Sequence, residues 1–324
     1  TIHSFPTRRS SDLTLTWPKD QKTDHLVIII SGSGAQDRDG QLPITDFKPY
    51  QTLAESLTPN GMATFRYDDR GMGKSTGNFS KATLSTLASD VDAIIKYFQS
   101  DTSRSFSNIT LLGHSQGGVV AGRVAAQNKS VDNLILVAST GVPLKELLRY
   151  QVQQAFARAS VDSSLIEQEI SARESIMDAI RSGENLEQTK DNYQEHFAAI
   201  QRSMGMDTAQ ATSLAKRQAD QLANTFESAQ TRSLLYYNPT EDLQKLNIPV
   251  LVLFGGKDTQ VPIEMNQQHI EQALESAGTS YETVVFEQAN HLFQKAKTGA
   301  VQEYATLEST FVDGLIETLS EWIK

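Results

Sequence analysis

The 324-residue chain has no cysteine. That absence removes disulfides, thiolate nucleophiles and cysteine-ligated metals, while the redox compartment stays open because a cysteine-free chain tolerates either environment. Long apolar runs are missing too, and no stretch approaches the roughly 20 residues that span a bilayer as a helix. Cations are in the minority, with 29 Lys and Arg against 39 Asp and Glu and a net charge of -10. Nucleic acid is therefore not expected as a partner, since phosphate binding needs clustered Lys and Arg. The histidines show no H-x-x-x-H or comparable ligand spacing, so no metal is expected. What is present, 39% apolar and 21% charged residues, is a globular composition with enough chain for one α/β core carrying an insertion.

Short β-branched runs alternate with helical patterns, the signature of βαβ units and a mainly parallel sheet. Strands are expected over 26–30, 62–67, 109–112, 134–137, 250–254 and 283–286. Helices are expected over 47–57 and 88–98, and one long amphipathic helix over 301–323 closes the chain. Between 143 and 240 Gln, Ala, Ser and Glu take over, and Leu165, Ile166, Ile170, Ile176, Met177 and Ile180 fall near helical spacing. The expected plan is an α/β core over 14–142 and 241–324 with a helical cap or lid over 143–240. Residues 3–13, read H-S-F-P-T-R-R-S-S-D-L, match the translated text of a common sequencing-adapter primer. Residues 1–13 are accordingly set apart as non-native, with no buried core strand expected before Thr14. Localisation, and any leader or domain upstream, are left open.

The chemistry concentrates at Gly113-His114-Ser115-Gln116-Gly117, between the apolar run Ile109-Thr110-Leu111-Leu112 and the small residues Val119-Val120-Ala121-Gly122. A strand, a tight turn carrying serine, and a helix make a nucleophile elbow. Glycines two positions either side of the serine remove the Cβ atoms that would collide where strand and helix converge. The competing reading is a glycine-rich turn whose serine only caps the helix.

A serine hydroxyl needs a base within hydrogen-bond reach and a carboxylate to fix that base, in the chain order Ser, acid, His for this elbow. His3 lies in the adapter-like stretch, His25 precedes the strand over 26–30, His114 is locked beside Ser115, His196 sits in the insertion, and His269 falls in a helix. His291, in Gln288-Ala289-Asn290-His291-Leu292-Phe293, remains as the base. Asp258 follows the strand over 250–254 through Gly255-Gly256-Lys257 and is the candidate acid, with Glu264 its nearby rival. The tetrahedral oxyanion needs backbone donors. Gln116, next to the serine, supplies one; the other is expected from Ser31-Gly32-Ser33-Gly34, with Ser33 preferred and Gly34 the alternate. Gly73-Lys74-Ser75 imitates a phosphate-binding loop, but Asp68 stands where that loop requires glycine and Asp69 would repel phosphate.

With these motifs the chain resembles bacterial serine esterases of the α/β-hydrolase superfamily, close to the EstD-like carboxylesterases. The resemblance runs through Gly32-Ser33-Gly34-Ala35-Gln36-Asp37-Arg38-Asp39, Tyr67-Asp68-Asp69-Arg70-Gly71-Met72-Gly73-Lys74-Ser75, the elbow, Gly255-Gly256-Lys257-Asp258 and Asn290-His291-Leu292-Phe293-Gln294. It extends from about Thr14 to the end and is weakest across the insertion. It implies an α/β-hydrolase fold, nucleophile, acid and base at Ser115, Asp258 and His291, a structural role for Asp68, Asp69 and Arg70, and often an extra N-terminal region. Ser31 stands where the family commonly has histidine. The expected activity is cofactor-free hydrolysis of a small-molecule carboxylic ester on short-to-medium acyl groups. Thioesterase or oligopeptidase chemistry by the same triad is the alternative, and a non-catalytic binding protein the remote one; oligomeric state is not readable.

Overall fold

The computed structural model describes residues 13–19, 22–101, 104 and 106–324. Two compact units divide the chain: one ends at Val142 and resumes at Asn238, and the other is Pro143–Tyr237.

The first unit is built on seven strands: β1 (Leu13–Thr16), β2 (His25–Ile30), β3 (Ala63–Tyr67), β4 (Asn108–His114), β5 (Asn133–Val137), β6 (Val250–Gly255) and β7 (Tyr281–Phe286). They form one sheet in the order β1-β3-β2-β4-β5-β6-β7. Every pairing is parallel except that of β1, which runs antiparallel to β3 at the edge. Inner strands such as Val250–Gly255 are buried along their whole length, which explains why they read as unbroken apolar runs and not as alternating ones. Helices α1 (Pro49–Leu57), α2 (Leu84–Ser100) and α3 (Gln116–Gln127) connect the early strands.

In α2 the buried residues Leu84, Leu87, Ala88, Val91, Ile94, Ile95 and Phe98 form one helical stripe, and the Thr83 hydroxyl accepts the Thr86 N–H to cap it. The helix therefore starts four residues before the expected 88, because its cap carries the boundary and its apolar pattern does not. β1 was not expected. Leu13, which the sequence groups with the adapter-like stretch, is its first residue, buried and opposite Tyr67. The expectation that no buried strand precedes Thr14 thus fails at Leu13, and the other residues of that stretch lie outside the described ones.

The second unit is helical: α4 (Leu144–Arg158), α5 (Ser163–Ser182), α6 (Leu186–Ser203), α7 (Thr208–Glu227) and α8 (Ala229–Leu235). Its core joins Ile176, Met177 and Ile180 of α5 to Tyr193 and Phe197 of α6 and to Ala211, Ala215 and Ala219 of α7. The three alanines recur every fourth residue, so α7 presents a smooth stripe on which large side chains close down. Ile166 and Ile170 are buried as well, whereas Leu165 is only half-buried.

Back in the first unit, α9 (Thr240–Leu243) and α10 (Ile263–Ala277) flank β6, and α11 (Leu315–Ile323) ends the chain. The long helix expected over 301–323 is not formed. A 3-10 turn covers Val301–Thr306, and residues 307–314 are non-helical until Gly314, at φ 86°, opens α11. Tertiary bonds claim the intervening backbone: Val312 N–H donates to the Phe293 carbonyl at 2.7 Å, and the Gln294 amide donates to the Glu308 carbonyl at 2.9 Å. Phe311 meanwhile packs edge-on against Phe47 at 5.2 Å. No described helix is long and apolar enough to cross a membrane.

Two glycines let β4 meet α3. A Cβ on Gly113 would lie 2.4 Å from the Gly117 carbonyl oxygen, and one on Gly117 would lie 2.3 Å from that of Ile30 and 2.4 Å from that of Ser31. Backbone cannot swing aside as a side chain can. Gly117→Ala is expected to cost at least about 3 kcal/mol, and a wild-type melting temperature for that variant would contradict this account of the turn.

Candidate active site

Ser115 occupies the turn between β4 and α3 with φ 54° and ψ -123°, outside the region that residues with a Cβ prefer. Such a conformation costs on the order of 1–3 kcal/mol and persists only where its surroundings hold it. Here Ser115 N–H donates to the Val137 carbonyl at 2.8 Å, and the Ser115 carbonyl accepts Gly118 N–H at 2.9 Å. The loop after β2 comes against this turn, since a Cβ on Gly32 would stand 3.3 Å from Ser115 Cβ and 3.2 Å from His114 Nδ1.

Asp258 follows β6 and His291 follows β7, so both arrive at the carboxyl ends of parallel strands, as Ser115 does on β4. His291 Nδ1 and Asp258 Oδ2 are 2.7 Å apart, and both residues are buried. The other carboxyl oxygen, Oδ1, accepts the backbone N–H groups of Gln260 at 2.8 Å and Val261 at 2.9 Å. Each oxygen of Asp258 thus has a set task. With Asp258 as acceptor, Nδ1 carries the imidazole proton and Nε2 is left as the basic nitrogen. Glu264, on α10, is not the residue that pairs with His291.

His291 is held by its own turn. Fully buried Asn290 uses Oδ1 to accept N–H groups from Leu292 and Gln294, both at 2.9 Å, and Phe293 takes φ 59° to complete the loop. Tyr304, also buried, accepts the Gln260 side-chain amide at 3.0 Å, bracing the Asp258 turn.

Sequence reasoning passed over two groups. His114 was set aside only as a neighbour of the serine, and Tyr50 was not singled out. In the fold the Tyr50 hydroxyl lies 3.1 Å from His114 Nδ1 and accepts Gly32 N–H at 3.0 Å, while His114 Nε2 lies 2.9 Å from the His291 carbonyl oxygen. The imidazoles of His114 and His291 are 4.8 Å apart, centroid to centroid. Burial, with His291 adding to it, pushes the His114 pKa down to about 3. Tyr50 was illegible because its partners are distant in sequence; a polar tip in an otherwise apolar helix face was the one available sign.

The two expected oxyanion donors sit as follows. Gln116 is the first residue of α3, directly after Ser115, and Ser33 is exposed in the loop after β2 with its carbonyl accepting the Gln36 side-chain amide at 3.0 Å. Gly34 has φ +84° and no neighbour within 4 Å of a Cβ built there. One carboxyl oxygen clasps both ends of this loop: Asp69 Oδ2 accepts the Ser31 hydroxyl at 2.9 Å and the Gln36 N–H at 2.9 Å. Ser31, standing where the resemblance expects histidine, therefore ties the loop down. Asp68 takes Arg38 in a two-pronged pair, at 3.0 Å from Nε and 2.8 Å from Nη2, and Arg70 pairs with Asp90, so the Asp-Asp-Arg stretch is structural.

Burial raises the Asp69 carboxyl to about 7. Because its folded pKa stands above the unfolded value of 3.8, the folded state holds the proton longer; the resulting stability is present below the unfolded pKa and lost as pH rises through about 7. Asp69→Asn keeps an acceptor and removes the titration. Urea unfolding at acid and at mildly alkaline pH should show the wild type losing on the order of 3 kcal/mol more than the variant between the two. Parallel pH dependences in the two proteins would refute this role for Asp69.

Residues 45–295 match the family model described as serine aminopeptidase, S33. Esterase EstD of Thermotoga maritima is 22% identical over 278 residues, which cover 86% of this chain and 57% of that protein, so the chain spans little more than half its length. Among solved structures, the esterase EaEST from Exiguobacterium antarcticum superposes with a TM-score of 0.52 at 16% identity, covering 99% of this chain and 98% of that one. Proline iminopeptidase from Mycobacterium smegmatis gives 0.57 at 15% identity, covering 100% and 97%. These two likenesses speak for the fold. With the family model matching most of its length, the chain belongs to the serine aminopeptidase, S33 family of α/β-hydrolases.

Proposed function

We propose that the chain hydrolyses carboxylic esters through an acyl-enzyme on Ser115. The Ser115 hydroxyl oxygen attacks the ester carbonyl carbon as His291 Nε2 takes the hydroxyl proton. The C–O bond to the alcohol then breaks, and the same proton passes to the leaving oxygen. Water, deprotonated by His291, attacks the acyl-enzyme and returns Ser115 to its starting state. Asp258 keeps Nδ1 protonated and faces the imidazolium that forms; the amides of Ser33 and Gln116 receive the oxyanion. No cofactor takes part.

The observation that carries this reading is the 2.7 Å contact between His291 and Asp258, whose second oxygen is locked by two backbone N–H groups. An aspartate serving only as a turn former has no call for a buried imidazole. Short-to-medium acyl esters are the proposed substrates, and EstD and EaEST are esterases by name. The lid role of the helical unit belongs to the same proposal. Peptide hydrolysis is the second reading, favoured by the aminopeptidase family description and the iminopeptidase neighbour.

The test is labelling with a fluorophosphonate, with the adduct located by peptide mass spectrometry, followed by turnover of p-nitrophenyl esters of increasing acyl length, an acyl-CoA and amino-acid p-nitroanilides. Labelling at Ser115 with the esters preferred is the expected result. Preference for the anilides would move the assignment to peptidase, and a protein that neither labels nor turns over any of them overturns acyl transfer.

A further inference from the structure

We infer that Tyr50 and His114 form a buried positioning relay that holds the loop after β2, the Ser115 turn and the His291 loop in one register; the inference rests on the acyl-transfer reading above. The direction of each link follows from which atoms own protons. A carbonyl oxygen only accepts, so the 2.9 Å contact to the His291 carbonyl places a proton on His114 Nε2. With burial holding His114 neutral, Nδ1 is then a bare lone pair. Tyr50 must be the donor across the 3.1 Å contact to it, and burial raises the Tyr50 pKa so that its proton stays in place. The hydroxyl's remaining capacity accepts Gly32 N–H at 3.0 Å. The relay therefore reads Gly32 N–H to Tyr50 O–H to His114 Nδ1, and His114 Nε2–H to the His291 carbonyl, with no donor or acceptor misplaced.

Its links join residues 18, 64 and 177 positions apart, so no local turn would reproduce any of them. Each end also touches the proposed machinery. Gly32 immediately precedes Ser33, His114 immediately precedes Ser115, and the last acceptor is the backbone of the base itself. Because Gly32 N–H is committed to Tyr50, the next amide along the loop, that of Ser33, is the one the relay aims. A second consequence is electrostatic. At 4.8 Å from His291, a charged His114 would oppose the imidazolium formed during turnover, and the relay uses His114 in its neutral form. Tyr50 and His114 line a cavity of about 30 Å³ whose other walls, Leu53, Leu112, Val137, Phe293 and Leu319 among them, are apolar. Those walls offer a severed link no substitute partner.

Tyr50→Phe, His114→Leu and His114→Gln test this. Leucine removes both functions of His114, whereas glutamine keeps a donor and an acceptor. The expected result is a kcat about 10- to 100-fold lower for Tyr50→Phe and His114→Leu on a p-nitrophenyl ester, with KM within about threefold and His114→Gln recovering most of the loss. A role confined to stability would lower the melting temperature and leave kcat below the transition unchanged; that outcome overturns the relay. A wild type that hydrolyses and labels while these variants match it also overturns the relay alone, whereas an unlabelled, inactive wild type overturns the acyl-transfer reading. Should His114→Leu fail to fold, nitrogen-15 NMR of the wild-type imidazoles decides. His114 is expected as the Nε2–H form with an Nδ1 signal that moves in Tyr50→Phe, and an Nδ1–H form refutes the relay.

Discussion

Ser115→Ala should reduce turnover of an activated ester by a factor on the order of 10⁴ to 10⁶ and abolish fluorophosphonate labelling, with the melting temperature unchanged. The large kinetic effect follows from the proposal that the hydroxyl oxygen is the atom that bonds to the acyl carbon. The small thermal effect follows from the turn. Alanine keeps the Cβ that already sits at φ 54°, and the two backbone bonds holding the residue, to Val137 and Gly118, involve no side-chain atom. Turnover above a few per cent of wild type, with the variant folded, would remove Ser115 from the mechanism.

Asp258→Asn should lower kcat by on the order of 10⁴ with little change in KM. Asparagine fills nearly the same volume, and its carbonyl oxygen still accepts Gln260 and Val261 N–H, so the turn survives. What changes is the atom facing His291 Nδ1. An amide NH₂ there is a donor, which drives the imidazole proton to Nε2 and leaves no lone pair to receive the Ser115 proton. The matched control is Glu264→Gln, expected to turn over at the wild-type rate. If Asp258→Asn lost less than about tenfold, orientation of the base by Asp258 would be refuted.

Much of this site was legible because its chemistry is written in short, local signals. Gly113 and Gly117 announce a close approach, and the structure shows the backbone oxygens that a methyl group would strike. Strands β2, β4, β5 and β6 were legible as apolar runs because the inner strands of a parallel sheet are buried on both faces, and β3 and the half-buried edge strand β7 were legible from their β-branched and aromatic residues. Asp258 and His291 each follow such a run, so their convergence at the carboxyl edge was implied by strand direction. What could not be read depends on tertiary partners. β1 is short and at the edge, so its pairing with β3 leaves little imprint on four residues. The apolar positions after Val301 imitate one helix, yet Phe311 and Val312 are spent on Phe47 and on Phe293, and the backbone follows them. Tyr50 read only as a packing residue of α1 because 64 positions separate it from His114. The Ser31 departure became intelligible only when Asp69 was seen holding it.

The stretch between the 3-10 turn and α11 fastens the tail of the chain to the loop of His291, because Val312 grips the carbonyl of Phe293 and the Glu308 carbonyl receives Gln294. The last segment is thus a guy-rope on the loop that carries His291. Shortening the protein from its carboxyl terminus would strip Ile323, Leu319 and Leu315 from the sheet's core before it reached that rope, so purification handles at this end belong on a long, pliable spacer.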